Sequence, residues 1–488
     1  MRELEVQLSS DSGTISLRFE RACLLTEAGR TDEAKGAYLD VLSREPSHRL
    51  ALNNFGTLLH ETGYRTAART AYAEAVARHP GDPMSHVNLA NVLRECGNPI
   101  DAREHYETAL RLQPDYPEAH QGLGSVFAEA GDAQGAHGHW QIGFGKQPVV
   151  ALPYRGEGSP IPLLLLTACA GGNIPLRHLL DDQVYRTYVV FVEHYDLAIP
   201  LPPHRLIFNA IGDADLAPRA LAAARSLLAL TTAPVINLPA AVARTGRSDN
   251  ALRLAGIPGV VVPTTMTVPR AGLEGPDAVA MLALHGFQFP LLIRTPGFHG
   301  GRHFLRIEAV GELTAALAEL PGDDLTVLSC LDARGPDGKA RKYRAMAVNG
   351  RLYPLHAAIS SHWKIHYFSA DMAASSDHRA EDAAFLEDMT AVIGLRARAA
   401  LEEIQLRLGL DYAGIDFGLN AAGEILLFEA NATMVVNPPE PGERWAYRRP
   451  AVESICAAVR EMLADRSGKS ITRASDPFPD IDEPLPEQ

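Results

Sequence analysis

The hydrophobic residues in the middle of the chain fall in short runs that are separated by longer, mixed segments. Four runs, Ile161 to Cys169, Tyr188 to Val192, Arg205 to Phe208 and Val235 to Asn237, have the length of buried strands. The segment from Ala217 to Leu230 is long enough for a helix. Strands that alternate with helices predict a parallel sheet covered by helices over this region.

A second pattern, near the C-terminal end, predicts an antiparallel hairpin. Two runs of β-favouring residues, Ile415 to Asn420 and Ile425 to Glu429, flank a polar break. The hairpin would bring Asp416 near Glu429 and Asn431, three oxygen ligands of the kind that hold Mg²⁺ beside nucleotide phosphates. Glu429 and Asn431 share one strand face and follow an apolar run, where an unpaired charge is costly. The alternative is an amphipathic hairpin whose acidic residues face solvent.

The first third of the chain repeats with a period of 34 residues. Five series of residues keep the same register: Gly29, Gly63, Gly97, Gly131; Pro46, Pro80, Pro114, Pro148; Tyr38, Tyr72, Tyr106, Trp140; Ala34, Ala68, Ala102, Ala136; and Ala22, Gly56, Ala90, Gly124. Gly relieves a turn between two helices, Ala and Gly let helices approach closely, and Pro ends the second helix. The pattern resembles the tetratricopeptide repeat, which implies an all-α helical repeat solenoid over residues 14–147.

The resemblance to tetratricopeptide repeats also implies a peptide or protein partner, because the concave faces of such solenoids usually bind one. Asn53, Asn54, Asn88 and Asn91 are candidates for contacts with a peptide backbone. The alternative is that these residues face solvent or hold neighbouring repeats in register. A further alternative is that the array packs against the rest of its own chain.

Composition narrows the class of protein. A chain of 488 residues is too long for one core. Its 46% hydrophobic and 21% charged residues are typical of soluble globular proteins, and its net charge of −14 argues against nucleic acid as a general partner. We expect a cytoplasmic protein without a membrane partner, because the five cysteines are scattered and neither a secretory signal nor a membrane-spanning run is visible.

A Pro- and Gly-rich stretch at residues 148–160 indicates a linker, and the region beyond it resembles ATP-grasp enzymes. The resemblance begins with Val235 to Pro239, continues with a predicted helix near Arg247, and includes Gly256-Ile257-Pro258 before Pro263-Thr264. Many members of that family carry Lys near the start of this helix. Arg247 keeps the positive charge and can bind phosphate bidentately.

A second part of the resemblance is an apolar strand that ends at Arg294 and leads into a loop with Gly300 and Gly301. Glycines let backbone approach phosphates closely. In ATP-grasp enzymes the equivalent strand usually ends in a nucleotide-contacting Lys, and the glycine loop closes over the phosphates. The resemblance therefore implies nucleotide contacts at Arg294, Gly300 and Gly301. The alternative is a structural turn.

The segment from Thr326 to Asp332 resembles the hinge strand of the same family, whose backbone meets the adenine. This implies nucleotide contacts at Ser329 and Leu331. Asp332 is a candidate for a ribose contact, and the acidic hinge residue common in the family has no certain counterpart.

A predicted hairpin follows, with strands on either side of Asn349-Gly350, a dipeptide typical of tight hairpin turns. Strand alternation puts Lys342 and Arg344 on one face, where either cation can meet phosphate or an acyl oxyanion. For Lys342 the alternative is simple exposure to solvent. The next loop resembles one that supplies a Lys to the transferred phosphate in D-alanine D-alanine ligase-like members, which implies that role for Lys364.

The order of these motifs over residues 160–460 most resembles the glutathione synthetase and D-alanine D-alanine ligase group. The predicted chain is multidomain: the solenoid is followed by an α/β pre-ATP-grasp domain and an α+β ATP-grasp fold. Their expected limits are residues 160–265 and 266–463, before an acidic, Pro-rich and disordered tail at residues 467–488.

The resemblance implies a ligase that needs ATP and Mg²⁺ and joins a carboxylate to an amine through an acyl phosphate. The implied roles are Mg²⁺ binding by Asp416, Glu429 and Asn431, nucleotide binding by the residues above, and catalysis by Arg344 and Lys364. Two alternatives remain. One is a kinase-like phosphotransferase, and the other is a non-catalytic repeat adaptor whose ATP-grasp domain only binds nucleotide.

Overall fold

The structure is a computed structural model that describes residues 14–176, 179–296, 301–365, 370–439 and 442–468. These residues divide into two compact units. Of the described residues, unit 1 contains 14–165 and 181–205, and unit 2 contains 166–180 and 206–468.

Unit 1 begins with eight α-helices arranged as four successive pairs. They are α1 (Ile15–Glu27), α2 (Thr31–Arg44), α3 (Arg49–Glu61), α4 (Arg65–Arg78), α5 (Pro83–Glu95), α6 (Pro99–Leu112), α7 (Pro117–Glu129) and α8 (Ala133–Gly145). Each helix packs mainly on the helices next to it in sequence, which is the arrangement of a solenoid. The predicted helical repeat array is confirmed.

The period of 34 residues has a physical cause in two sets of glycines. Gly29, Gly63, Gly97 and Gly131, between the helices of each pair, all have positive φ, from 70° to 92°. Gly56 serves a different purpose, since it leaves room for an aromatic ring. A Cβ at this position would come within 2.6 Å of the Tyr72 ring.

Three of the four asparagines predicted to contact a peptide join neighbouring repeats. Asn53 donates to Ser85 Oγ at 2.8 Å, and Asn88 donates to Asn53 Oδ1 at 2.8 Å. Asn91 accepts a bond from Tyr106 within its own repeat, and Asn54 donates to Cys23 Sγ. Of the alternatives left open for these residues, the contacts of Asn53 and Asn88 support the one in which they hold neighbouring repeats in register.

The strands that follow the array are β1 (Val149–Ala151), β2 (Ile161–Thr167) and β3 (Tyr185–Phe191), in the spatial order β1-β3-β2. In unit 2, β4 (Leu206–Asn209) runs parallel to β5 (Val235–Ile236). The predicted parallel pairing is confirmed for β4 and β5, and the unpredicted strand β1 pairs antiparallel with β3. The pattern missed β1, which is short and only partly buried.

Unit 2 also contains a four-stranded antiparallel sheet with the order β7-β10-β8-β9. Its strands are β7 (Thr265–Pro269), β8 (Leu291–Arg294), β9 (Phe304–Ile307) and β10 (Asp324–Ser329). Leu291, Ile293, Leu325 and Val327 form the centre of a buried apolar cluster on this sheet. Three helices contribute to the same cluster: α12 (Arg270–Glu274), α13 (Ala278–Leu284) and α14 (Leu313–Glu319). Three further helices precede them in the chain: α9 (Pro218–Leu228), α10 (Pro239–Val242) and α11 (Arg247–Leu254).

A five-stranded sheet with the order β12-β11-β13-β14-β6 carries Arg344 and the three predicted metal ligands. Its strands are β6 (Val260–Val261), β11 (Ala340–Val348), β12 (Arg351–Ser360), β13 (Tyr412–Leu419) and β14 (Ile425–Asn431). All pairs are antiparallel except β14 with β6. Three helices pack on this sheet: α15 (Ser376–Glu387), α16 (Met389–Leu408) and α17 (Arg449–Ser467).

The predicted turn at Asn349-Gly350 is confirmed, since both residues have positive φ, 46° and 81°. Helix α17 extends to Ser467, where the predicted tail begins, and ends on Gly468 in the left-handed conformation. The remainder of that tail, residues 469–488, lies outside the described residues. Among the described residues, no helix has the length and apolar character needed to cross a membrane.

Candidate functional site

The C-terminal hairpin forms as predicted and sets the register of the site. On β13 and β14, Asp416 is the cross-strand partner of Glu429, and Gly414 is the partner of Asn431. A bulge between Asp416 and Phe417 interrupts the ladder at this point. The hairpin therefore brings together the three residues predicted to bind metal.

Asp416 is almost fully buried, with 2% of its surface exposed, and both of its oxygens are engaged by cations. Arg344 Nε and Nη2 donate to Oδ1 and Oδ2 at 2.5 and 2.8 Å. Lys342 Nζ lies 2.9 Å from Oδ2. Burial alone would raise the pKa of the Asp416 carboxyl, but Lys342 and Arg344 outweigh burial and hold that pKa far below its usual range. In this arrangement Asp416 positions two cations.

Glu429 and Asn431 form a second cluster on the same strand. Asn431 Nδ2 donates to Glu429 Oε1 at 2.9 Å, and Asn431 Oδ1 accepts bonds from the amide and hydroxyl of Thr433 at 3.0 and 2.8 Å. Arg247 Nη2 approaches Glu429 Oε1 at 3.4 Å. Among the described residues no hydrogen-bond donor reaches Glu429 Oε2, so this oxygen is the one that a ligand or metal ion can meet.

Arg247 begins α11, and Asp215 fixes it there. The backbone amide and Nη1 of Arg247 both donate to Asp215 Oδ2 at 3.1 Å. A carboxylate beside the first helical amide is favourable because a helix N-terminus carries partial positive charge. Arg247 thus bridges the carboxylates of Asp215 and Glu429.

Arg294, at the end of β8, lies within electrostatic range of this bridge. Burial lowers the pKa of its guanidinium, the charge of Arg247 lowers it further, and Glu429, Asp215 and Asp213 oppose the change. Arg344 in turn is influenced by Glu429 as well as by Asp416. Arg247 therefore contacts Glu429, and Arg294 and Arg344 lie within electrostatic range of it.

Asn250, one turn after Arg247, ties α11 to the hairpin. Its Nδ2 donates to the carbonyl of Ala430, between Glu429 and Asn431, at 2.5 Å. Its Oδ1 is buried and has no hydrogen-bond partner among the described residues. This contact holds the helix that carries Arg247 against the strand that carries Glu429.

His356 lies beside the Arg344 cluster on β12, where it is the cross-strand partner of Arg344. Complete burial lowers the pKa of this imidazole well below its ordinary value, and the charges of Arg344 and Arg448 act in the same direction. His356 is therefore neutral near pH 7, and it adds no positive charge to the cluster.

Lys364, the predicted catalytic lysine, donates from Nζ to the carbonyl of Gly301. Gly301 has a positive φ of 72°, and a Cβ there would collide with the Lys364 side chain. Trp363 packs edge-on against Phe304 in the same region, with ring centroids 5.5 Å apart. Lys364 therefore contacts the end of the glycine loop, and the predicted contact at Gly300 lies outside the described residues.

The predicted hinge residues lie at and after the end of β10. Ser329 forms two bonds with Thr264, one from its backbone amide and one to its Oγ, each 2.9 Å long. Asp332 makes a bidentate pair with Arg334 at 2.8 and 2.6 Å, and this guanidinium holds the pKa of its carboxyl below the usual value. Leu331 is half-buried. The amide of Ser329 and the carboxylate of Asp332 are thus already engaged.

Sequence reasoning missed two members of the site and left the role of a third, Lys342, open. Solvent exposure was the alternative kept open for Lys342, but its ammonium pairs with buried Asp416. Asp215 and Asn250 were not predicted at all. Asn250 carried a usable signal, because it follows Arg247 by one helical turn and so shares its face. Asp215 carried no usable signal, because its partner Arg247 lies 32 residues further along the chain.

The donor set at Glu429 and Asn431 fits Mg²⁺ in the presence of phosphate. Mg²⁺ is usually held by one or two protein oxygens together with substrate phosphates. Glu429 Oε2 supplies one such oxygen, whereas Asn431 Oδ1 accepts two bonds from Thr433 and would have to give up at least one of them to bind the ion. Both oxygens of Asp416 are engaged by cations. Within the described part of the chain, no three His, Cys, Asp or Glu side chains are grouped to hold a metal ion by themselves.

Comparison with known proteins identifies the repeats. Family models described as "Tetratricopeptide repeat" and "TPR repeat" match residues 19–83 and 90–131. The N-terminal part of the chain consists of tetratricopeptide repeats, and a mixed α/β region with several sheets follows it. No curated protein matches the chain.

Several solved structures are similar to the chain. MamA from Desulfovibrio magneticus RS-1 is 21% identical over 29% of this chain and 79% of its own, with a TM-score of 0.27. A tetratricopeptide repeat protein from Parabacteroides merdae is 20% identical over 27% and 53%, with a TM-score of 0.25. Pseudomonas aeruginosa pilF is 20% identical over 29% and 64%, with a TM-score of 0.27. With TM-scores this low, these likenesses carry no further argument.

Proposed function

We propose that the chain is an ATP- and Mg²⁺-dependent ligase of the ATP-grasp type that joins a carboxylate to an amine through an acyl phosphate. The observation that carries the proposal is the contact of Arg247 with Glu429 in unit 2, with the buried Arg294 within electrostatic range of both. The charges of Arg247 and Arg294 oppose each other, so their proximity is favourable when a polyanion lies between them. A nucleotide triphosphate is such a polyanion.

Arg247 and Arg294 contact the nucleotide phosphates in this proposal. Arg247 is held from two sides, by Asp215 and by Glu429, so its guanidinium is oriented before ligand arrives. Orientation in advance reduces the entropy that binding costs. Arg294 is desolvated by burial, which strengthens its attraction for an anion.

Glu429 and Asn431 are the residues that would hold Mg²⁺. When bound, the ion neutralises phosphate charge and helps to orient the terminal phosphate. Asn431 is itself fixed by Thr433, and Asn250 fixes the backbone between the two ligands. Outer contacts of this kind orient the groups that bind a metal.

Arg344 and Lys342 stabilise the acyl phosphate and the oxyanion of the tetrahedral species that forms when the amine attacks it. Asp416 grips both cations and fixes their direction, which gives a preorganised positive field at the reacting group. Lys364 stands at the end of the glycine loop and supplies a further cation to the transferred phosphate. A carboxylate oxygen attacks the terminal phosphorus of ATP, and ADP leaves with the electron pair of the broken bond. The amine then attacks the acyl carbon, phosphate leaves with the bonding electron pair, and the amine nitrogen loses a proton to water.

The tetratricopeptide repeats bind a peptide or protein in this proposal. Because Asn53 and Asn88 are engaged between repeats, the recognition of a partner rests on other side chains of the array. The partner is either the substrate or a protein that brings the substrate.

The test compares the wild-type chain with Glu429→Gln and, as a matched control, Glu424→Gln. Glu424 lies in the turn of the same hairpin and pairs with Arg396 at 2.7 Å, away from the site. We expect Glu429→Gln to lower ATP-dependent ADP formation in cell extract roughly a hundredfold or more, because the variant loses a ligand for Mg²⁺. Glu424→Gln should retain wild-type activity.

Mass spectrometry of the same extract identifies the reaction. A ligase gives a product with the mass of the carboxylate and amine less one water. A product that gains only a phosphate group would show a kinase-like phosphotransferase. If calorimetry finds no binding of Mg-ATP to the wild-type chain, the proposal fails.

A further inference from the structure

Two histidine pairs occur one period apart in the third and fourth repeats. His86 Nδ1 on α5 lies 3.0 Å from His105 Nδ1 on α6. His120 Nδ1 on α7 lies 2.8 Å from His139 Nδ1 on α8. Each pair joins the two helices of one repeat.

The hydrogen bonds of each pair define its tautomers. His86 Nε2 lies 3.0 Å from the carbonyl of Pro80, and His120 Nε2 lies 2.9 Å from the carbonyl of Pro114. A carbonyl only accepts, so Nε2 carries the proton and Nδ1 of the same neutral ring carries a lone pair. The Nδ1–H of His105 then donates to His86, and that of His139 donates to His120.

This geometry limits how many protons a closed pair can hold. The first added proton enters at Nε2 of His105 or His139 and leaves the bond between the Nδ1 atoms intact. A second proton has to enter at Nδ1 of His86 or His120. There it would face the Nδ1–H of the partner ring, and two donors would lie at hydrogen-bond distance. An open pair of separate imidazoles has no such limit.

The surroundings of the rings strengthen this limit. His86 and His120 are 6% and 7% exposed, so little water is available to solvate a second charge. Burial lowers the pKa of His105 and of His139, and the partner histidine lowers each further. Asp101 and Glu104 oppose the change at His105, and Glu107 opposes it at His139. Phe127 stacks on His139 with ring centroids 5.4 Å apart. The Arg103 guanidinium lies over the same Phe127 ring.

We propose that the pairs His86–His105 and His120–His139 form a proton-operated switch that opens the helix pairs of the third and fourth repeats in mild acid. The open state binds more protons than the closed state below the ordinary imidazole pKa of about 6.5. The stability that the pairs contribute is therefore fully present above that pH and is lost as the pH falls below it. The switch lies in unit 1 and does not depend on the proposed ligase activity.

The first two repeats supply a control within the same chain. At the position of the His86–His105 pair, the second repeat has Leu52 and Ala71, and the first has Arg18 and Ala37. Leu52 and Ala71 are both buried and bind no protons. The second repeat therefore has the same architecture as the third without its titratable pair.

Hydrogen exchange of the full chain at pH 8 and pH 5.5, corrected for the intrinsic exchange rate at each pH, tests the proposal. Each proton taken up on opening raises the opening equilibrium constant by up to about tenfold per pH unit. Peptides from α5 to α8 should therefore lose protection in acid at least several-fold more than peptides from α3 and α4. Equal changes in the two groups, or no change in either, would overturn the proposal.

Matched variants replace each histidine pair with the residue types that the second repeat has at the same two positions. His86→Leu with His105→Ala, and His120→Leu with His139→Ala, should each abolish the acid-induced opening of its own repeat. His60→Gln is the control for loss of a histidine, because His60 pairs with Glu95 and belongs to neither histidine pair. If a double variant fails to fold, the comparison of wild-type α3 and α4 with α5 to α8 still decides. Opening that persists in both folded double variants would contradict the proposal.

Discussion

Asp416 is a buried carboxylate whose two cationic partners, Arg344 and Lys342, lie on the neighbouring strand. Replacement of such a carboxylate leaves buried positive charge without compensation, which is more costly than the loss of an ion pair at the surface. The role of Asp416 in the fold is therefore measurable separately from any role in catalysis.

We expect Asp416→Asn to lower the free energy of unfolding by about 3 kcal/mol, as measured by urea denaturation of the full chain. The control is Glu402→Gln, because Glu402 pairs with Arg398 on the exposed face of α16. That variant should change the free energy of unfolding by less than about 1 kcal/mol. If both substitutions changed the free energy of unfolding equally, water would solvate Arg344 and Lys342 once Asp416 is replaced, and the prediction would be wrong.

At the scale of the helix, two glycines inside neighbouring helices should respond to alanine with opposite signs. Gly56 on α3 lies under Tyr72, and an added Cβ would come within 2.6 Å of the ring. Gly36 on α2 is exposed, and an added Cβ would meet no atom within 4 Å. Neither glycine has a positive φ.

Gly56→Ala should therefore destabilise the array by about 1–3 kcal/mol through overpacking. Gly36→Ala should stabilise it by up to about 1 kcal/mol, since Ala has the higher helix propensity. Thermal unfolding followed by circular dichroism gives both values. Stabilisation by Gly56→Ala would mean that the close approach of α3 to α4 is not set by the small residue.

The elements that the sequence predicted are those with a local cause. Both hairpins follow from alternating residues around a turn, and the repeat array follows from a fixed period. The pairings between site residues do not follow from any such local pattern. The Arg344–Asp416 and Arg247–Asp215 pairs join residues separated by 72 and 32 positions. Such pairs depend on strand register and on loop packing, and the local pattern around each residue contains no information about either.

At the scale of the whole chain, Mg-ATP should protect parts of unit 2 from hydrogen exchange. The expected segments are α11, β8 and the β13–β14 hairpin, because Arg247, Arg294 and Glu429 lie on them. At a ligand concentration of a hundred times Kd, binding stabilises the bound state by about 2.7 kcal/mol. ATP with a chelator of Mg²⁺ is the control and should protect less. Protection confined to α1–α8 would contradict the site.

The tie between Asn237 and the start of β13 has a consequence for the order in which the chain acquires structure during synthesis. Asn237 is fully buried, and its side chain bonds to the backbone of Asp411 and Tyr412. The sequence separation between these partners is similar to that between Arg247 and Glu429. The ties of the array, such as Asn53 to Ser85, span 32 residues. At about 5–20 residues per second, the ribosome completes each repeat seconds after the previous one, so the array can fold while the chain is still growing. The site has to wait until residue 431 has emerged, and a chain released before then carries the repeats without the site.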